Sequence, residues 1–519
     1  MSRSLLVALV PLLLAACSDP GPDDVAGGAE DAAPAPAEEA NLDTSGLDIP
    51  ALIALQRDGT ASALDIVDAV ARDVTARDDV YRAVLAMNDA AGAAASALDA
   101  RRASGEEAGP LHGVPVMVKD NLETLDMPTT AGSLALVNNR TGRDAPVVAR
   151  LREAGAVLVG KTNLSEWANF RSERSSSGWS GVGGQTRNAV DPSRTPCGSS
   201  SGSGVAVALG YVPLAIGTET NGSIVCPAAI NGIVGFKPTI GAVPQDGIVP
   251  IAHTQDTAGP MARTVADAAL GYAIIADLPG PSVVEQVAEG DLVGMRLGVV
   301  RSATGYHEGV DEVFARTLAD LEAAGAILVD DVRLDTPEGF GTDSYDVLLY
   351  EFRTDLDAWF DSLETPAPVE GLDALIEFNR ANAETSMPYF RQEIFEKAAA
   401  KGPLTDAAYL DALERIRRAT REEGVERVLA EHNLDALIAP TEGPAWSIDL
   451  VNGDHFLGGF STHAAVGGYP HVTLPMGSLH GLPVGLSFVG PRDADVRVLA
   501  LAHAFERAAI SHAVGAALP

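Results

Sequence analysis

The sequence predicts an α/β fold built on a buried, largely parallel or mixed sheet. Two observations carry this. Short continuous apolar runs recur along the 519 residues, and stretches with apolar residues at helical spacing separate them. With 46% hydrophobic residues the chain has ample material for a large core.

The elements follow in order. Leu64, Val67, Val70, Ala71 and Val74 recur at helical spacing, and residues 60–104 read as helices. Val114–Val118 reads as a strand, 146–154 as a helix and Ala156–Val159 as the next strand. Val205–Leu209 begins a small-residue helix, and Val212–Ile216 is a strand. Residues 264–275 are helical, Met295–Val300 is a strand, 309–324 a helix and Ala326–Val329 a strand. Residues 335–405 break the alternation with a helical stretch rich in Tyr, Phe and Trp, suited to wall a pocket or to pack on the core. Residues 404–431 are helical, Leu434–Ile438 is a strand, His471–Pro475 and Val484–Val489 are a strand pair, and 495–508 is a closing helix.

The N-terminus stands outside this fold. Arg3 and the apolar run Leu5–Leu14 form a signal-like segment ending in Leu14-Ala15-Ala16-Cys17, which resembles a bacterial lipobox. The expectation is a signal over residues 1–17 and a lipid on Cys17. A disordered tether rich in Ala, Pro, Gly and acid follows at 18–46, and a catalytic domain spans 47–519. Ser18 after the cysteine resembles signals that pass on to the outer membrane, which predicts an exported lipoprotein facing the periplasm. The formal charge of −35 argues against a nucleic-acid partner. Cys197 and Cys226 sit in dense Gly/Ser segments and read as two free buried thiols. No Cys/His cluster has ligand spacing, so no metal site is predicted.

One short stretch poses a chemical question. In TETNGSIVC, residues 218–226, Ser223 occupies a tight small-residue turn, and no histidine lies within about twenty residues of it. A second segment, CGSSSGSG at 197–204, places glycines and serines before a helix, where backbone N–H groups are free. It also matches G-x-S-x-G with Ser200 at the centre, but DPSRTPC precedes it where a nucleophile elbow needs an apolar strand. A base for Ser223 has to be sought among the lysines. Of the five in the chain, Lys119, Lys161 and Lys237 end the apolar runs GVPVMVK, GAVLVGK and GIVGFK. A lysine buried at a strand end loses solvation, its pKa falls, and the neutral amine can take a proton from serine. Each of the three equally fits a lysine whose stem lies along the sheet edge.

The run from Cys197 to Pro244, CGSSSGSGVAVALGYVPLAIGTETNGSIVCPAAINGIVGFKPTIGAVP, closely resembles the amidase signature family. GVPVMVKDN, GKTNLSEWANF, GGQTRN, TQDTAGPMARTVADAA, LDALIAPT, YPHVTLPMG and LPVGLSFVG resemble its further blocks, from about residue 48 to the end. The resemblance implies one large domain with a mixed twisted sheet covered by helices on both faces. It implies a Ser-Ser-Lys triad. Ser223 matches the nucleophile, Ser199 the bridging serine that the family holds on a cis peptide, and Lys119 the base, which leaves Lys161 and Lys237 structural. The backbone N–H groups of Thr220, Asn221, Gly222 and Ser223 match the oxyanion hole. The implied activity is hydrolysis of a carboxamide C–N bond through an acyl-enzyme. It needs no cofactor and no obligate protein partner, and its pH optimum would be neutral to alkaline.

Two departures bear on substrate. Asn221 stands where the family has a glycine and Val225 where it has an arginine. Together with NLSEWANFRS, SGWS and TEGPAW, this variant resembles the branch of the family that removes the C-terminal amide of peptides. Asn169, Ser175, Ser177, Gln185 and Trp446 are candidate substrate-binding residues, and Trp179 and Phe460 are further candidates for an acyl pocket. The competing functions are an aryl-acylamide or linear-oligoamide hydrolase, the amidase-like component of a cytosolic amidotransferase, which the export signal opposes, a Ser200 esterase, and a non-catalytic surface lipoprotein.

Overall fold

The computed structural model describes residues 42–106 and 109–512. Cys17, the signal and most of the expected tether lie outside the described residues. The domain begins earlier than residue 47: Leu42 packs on the main core, and Leu47 N–H bonds the Thr44 carbonyl at 3.2 Å.

Thirteen strands are present among the described residues: β1 Val84–Met87, β2 Pro115–Lys119, β3 Val157–Thr162, β4 Trp179–Ser180, β5 Gly184–Gln185, β6 Leu214–Glu219, β7 Val234–Lys237, β8 Thr257–Ala262, β9 Arg296–Val300, β10 Ile327–Val332, β11 Ala436–Pro440, β12 His471–Leu479 and β13 Leu482–Val489. All but the β4–β5 pair form one sheet, ordered β1-β3-β2-β6-β8-β7-β12-β13-β11-β9-β10. The pairs β3–β2, β2–β6, β11–β9 and β9–β10 are parallel, and the other pairs are antiparallel. The sheet is therefore mixed, as expected. Two strands of this sheet depart from the sequence reading, and the short β4–β5 pair lies in a stretch to which it gave no element. β1 interrupts the stretch read as helices over 60–104, and β8 inserts in the middle of the sheet between β6 and β7.

Alternation along the strands divides the core. Val116, Val118, Leu214 and Ile216 point into one cluster with the helices Val265–Ile275 and Glu308–Ala323, while Met117 and Ala215 point into another with the helices Ala63–Tyr81 and Ser201–Ala208. Each buried Val or Leu contributes about 1.5–3 kcal/mol relative to exposure, which fixes the register of these central strands. Period two also puts Lys119 on the face of Met117, toward the helix Ser201–Ala208.

The helices Phe340–Asp361, Gly371–Ala381 and Glu393–Ala399 supply the aromatics noted in the sequence. Phe352, Phe360 and Phe395 pack with Trp167 and Phe170 in a separate cluster.

Candidate active site

Three segments converge at the ends of β2 and β6: the end of β2, the loop before the helix Ser201–Ala208, and the turn after β6. Lys119 closes β2 and has no exposed surface. Its Nζ donates to Ser199 Oγ at 2.7 Å, to Thr218 Oγ1 at 2.8 Å and to the Thr218 carbonyl at 3.3 Å. Burial pulls the ammonium down to about pKa 7, opposed by the charges of Asp256 and Glu219. The other two strand-end lysines are bound elsewhere. Lys161 Nζ meets Asp120 at 3.0 Å and the Leu122 carbonyl at 2.8 Å, and Lys237 Nζ donates to the Pro238 carbonyl at 2.8 Å. Of the three, Lys119 is the one that bonds Ser199.

Ser199 is fully buried and follows a cis Gly198–Ser199 peptide. A Cβ on Gly198 would stand 2.2 Å from Ser165 Oγ and would have to displace the hydroxyl that accepts the Gly178 N–H. Ser200 is bound to β6: its Oγ donates to the Thr218 carbonyl at 3.0 Å and accepts the Thr218 N–H at 3.1 Å. The segment before it is loop, with no strand between β5 and the helix Ser201–Ala208. The elbow required of a Ser200 nucleophile is absent from these residues.

The turn after β6 carries Thr220, Asn221, Gly222 and Ser223. Gly222 has φ +83°, the left-handed conformation that glycine takes without strain. The four amides bond no acceptor among the described residues. The turn is anchored on every side. Glu219 Oε2 accepts the N–H groups of Ile224 (2.8 Å) and Val225 (3.1 Å), holding a carboxylate at the start of the helix Val225–Asn231. Thr220 Oγ1 donates to Asp256 Oδ1 at 2.6 Å, and Asp256 Oδ2 in turn accepts the amides of Ile251 (2.7 Å) and Ala252 (2.9 Å). Burial lifts the Asp256 carboxyl to about pKa 6. Ser461 Oγ donates to Asn221 Oδ1 at 2.7 Å.

Cys197 and Cys226 form a disulfide. This corrects the expectation of two free thiols. Each does pack in a small-residue segment, but those segments are the two that meet at Ser199 and Ser223, and the meeting brings the Cα atoms to 6.0 Å.

A cavity of about 520 Å³ opens beside Asn221. Its walls include Phe460, Ser461 and His463 on one side and Phe340, Tyr345 and Leu348 from the helix Phe340–Asp361 on the other. The aromatic stretch thus packs on the core and walls a cavity. Of the residues singled out for substrate binding, Phe460 lines this cavity and Asn169, Ser175, Ser177, Gln185, Trp179 and Trp446 do not. Asn169 lies against Gly198 and its Nδ2 donates to Ser177 Oγ at 3.2 Å. Ser177 N–H and Trp446 Nε1 both reach Asp454 Oδ1, at 3.2 and 3.1 Å. Gln185 Nε2 donates to the Ser177 carbonyl at 2.8 Å, and Ser175 Oγ closes a local turn on the Ser172 carbonyl at 2.9 Å. Trp179 packs edge-on against Tyr389 and Phe390. Sequence reasoning did not single out Thr218, Glu219, Asp256 or Glu442 as site residues, although all four stand in the motifs named above. For Glu219 an acid just past a predicted strand was the available signal, and the other three carried none.

Comparison with known proteins gives a consistent result. The family model for Amidase matches residues 65–499. The native peptide amidase of Stenotrophomonas maltophilia superposes with a TM-score of 0.84 at 43% identity, over 89% of this chain and 96% of that one. An amidase family protein of Bacillus anthracis superposes with a TM-score of 0.80 at 32% identity, over 90% and 91% of the two chains. A component of the glutamyl-tRNA(Gln) amidotransferase of Salinispora arenicola is 36% identical over 495 residues, 90% of this chain and 98% of its own.

Proposed function

The chain belongs to the amidase family, hydrolases acting on C–N bonds in amides, and we propose that it cleaves small or peptide carboxamides, peptide C-terminal amides foremost, with release of ammonia. Ser223 is the nucleophile, Ser199 the proton bridge and Lys119 the base. The observation that carries this reading is the 2.7 Å contact between a fully buried Lys119 amine and Ser199 Oγ.

Neutral Lys119 takes the Ser199 proton as Ser199 takes that of Ser223, and Ser223 Oγ attacks the amide carbonyl. The developing oxyanion lies against the N–H groups of the 220–223 turn. Those dipoles are fixed by Glu219, Asp256 and Ser461 before substrate arrives, so little reorganisation is needed in the transition state. Each such donor is worth about 3 kcal/mol. The proton returns through Ser199 to the leaving nitrogen, ammonia departs, and water releases the acid by the same relay. Lys161 and Lys237 keep structural roles, consistent with their other partners.

Likeness to the peptide amidase of Stenotrophomonas maltophilia and the TETNGSIVC turn favour peptide amides. The cavity beside Asn221 offers an apolar wall for an acyl group. Asn169, Ser177, Gln185 and Trp446 support the Gly198 side of the site through Asp454 and the hydrogen bonds described. The match to an amidotransferase component favours a second reading, ammonia transfer within an assembly. The lipobox at Cys17 and the Cys197–Cys226 bond, which suits an oxidising compartment, favour an exported lipoprotein acting alone.

The deciding experiment follows ammonia from peptide amides and simple carboxamides, and the arylamine from anilides, with the full chain and with Ser223→Ala. Ammonia from peptide amides that is lost in the variant is the expected result. Anilide cleavage alone moves the substrate to aryl-acylamides. Turnover only with added partner proteins supports the transferase. A chain inert toward every amide makes it a binding protein.

A further inference from the structure

Glu442 stands just beyond β11 and is 3% exposed. Neither carboxyl oxygen has a hydrogen-bond or cationic partner among the described residues, and Oε2 is wholly buried. A side chain built on Gly459 would lie 2.5 Å from Oε2, so the carboxyl is pressed on that backbone. Oε1 faces the other way, 4.0 Å from where a Cβ on Gly222 would stand. The nearby Tyr306 hydroxyl is also buried without a partner, its ring packed against Gly443 and Gly458. Burial and the charge of Glu219 push the Glu442 carboxyl well above the usual carboxylate range. A buried carboxyl without a partner is a cost to folding. Nothing in the packing requires an acid here, whereas the oxyanion turn beside it does receive a polar group during the reaction.

We propose that Glu442 is a specificity-determining residue that accepts a hydrogen bond from the N–H of the leaving carboxamide beside the Gly222 turn, so that the site prefers primary amides to esters. This rests on the serine amidase reading above. A carboxamide whose oxygen enters the ring of 220–223 amides still has two N–H groups to satisfy, and an ester has none. A site whose acceptor is left unpaired by the wrong substrate discriminates strongly.

The test compares an N-acyl peptide amide with its methyl ester, using the full chain and the variants Glu442→Leu, Glu442→Met and Glu442→Gln, each checked for folding by its thermal transition. Ser223→Ala establishes that wild-type turnover is serine-dependent, so failure of the amidase reading shows there and not in the Glu442 series. Glu442→Leu is expected to lose about 10- to 100-fold in kcat/KM on the amide, the worth of one or two hydrogen bonds, and about threefold or less on the ester. Glu442→Met repeats the result if the leucine variant fails to fold. Glu442→Gln keeps a carbonyl acceptor and restores most of the amide rate. Equal losses on amide and ester, or no loss on the amide, overturn the assignment.

Discussion

Cys197 and Cys226 are bonded two residues before Ser199 and three after Ser223, so a single covalent link ties the segment of Ser199 to the helix behind the turn. The two cysteines are separated by 29 residues. A loop of that length is worth about 3–4 kcal/mol in the chain-entropy account. The variant Cys197→Ser/Cys226→Ser is expected to unfold at lower temperature by that free energy. Reduction of the wild type with a phosphine should have the same effect and leave the double variant unchanged. Thermal unfolding with and without reductant, alongside a thiol count, checks it. Two titratable thiols in the untreated folded chain would contradict the pairing.

The Lys119 amine sets the expected pH profile. Held near pKa 7 by burial, it is protonated and useless as a base below neutrality. The profile of kcat/KM should fall about tenfold per pH unit below about pH 7 and level off above it. Lys119→Ala should lose most activity and the acid limb with it. A limb that survives in that variant would assign the titration to another group. Stability carries the same sign. The folded pKa lies below the unfolded value of about 10.4, so between about pH 7 and 10 the unfolded chain binds the extra proton and stability rises with pH.

How much of this was legible follows from what each residue needs. Three strand-end lysines and the Gly-Ser turn at Ser223 were readable as local patterns, but the choice of Lys119 among the three came from the family resemblance alone. β8 was not. Its sequence TAGPMA holds glycine and proline, which mark turns in most contexts. A Cβ on Gly259 would strike the Phe236 carbonyl, so that glycine answers to the neighbouring strand, a contact no local pattern shows. β1 is four residues long, VLAM, and its apolar character continues the helices around it. The disulfide was misread because its two cysteines meet only when the loop before Ser199 folds onto the helix after Ser223. Glu442 and Asp256 are ordinary acids in sequence, and burial alone makes them unusual.

Thr220 and Asp256 fix the first amide of the turn. Thr220→Val removes the 2.6 Å bond to Asp256 Oδ1 while keeping the shape of the side chain. Because Asp256 retains the amides of Ile251 and Ala252, the stability loss should be only about 1–2 kcal/mol. The larger effect is expected in kcat, down about tenfold with KM little changed, since the proposed mechanism uses the 220–223 amides as oxyanion donors in the transition state. Steady-state kinetics beside a denaturant titration separates the two. A rise in KM at constant kcat would give Thr220 a part in ground-state binding instead.

Arg171 and Glu166 form a deeply buried ion pair on the loop that carries Asn169, 3.0 Å apart with each side chain 1% exposed. The guanidinium also lies 4.4 Å from the centre of the Phe390 ring and bonds the Ser386 carbonyl. Burial raises the Glu166 carboxyl to about pKa 7 even with the arginine charge opposing it. Arg171→Met removes that opposition and leaves an acid without a cation, which should cost about 3–5 kcal/mol. The cost should depend on pH. A carboxyl whose folded pKa exceeds its unfolded value near 4.3 loses stability as pH rises between the two, and removing Arg171 raises the folded value further. The variant should therefore be closer to wild type at pH 5 than at pH 8, and Glu166→Gln added to it should recover part of the loss at pH 8. Denaturant midpoints for the three chains at both pH values measure this. A loss equal at the two values would mean that Arg171 acts through packing on Phe390 rather than through its charge.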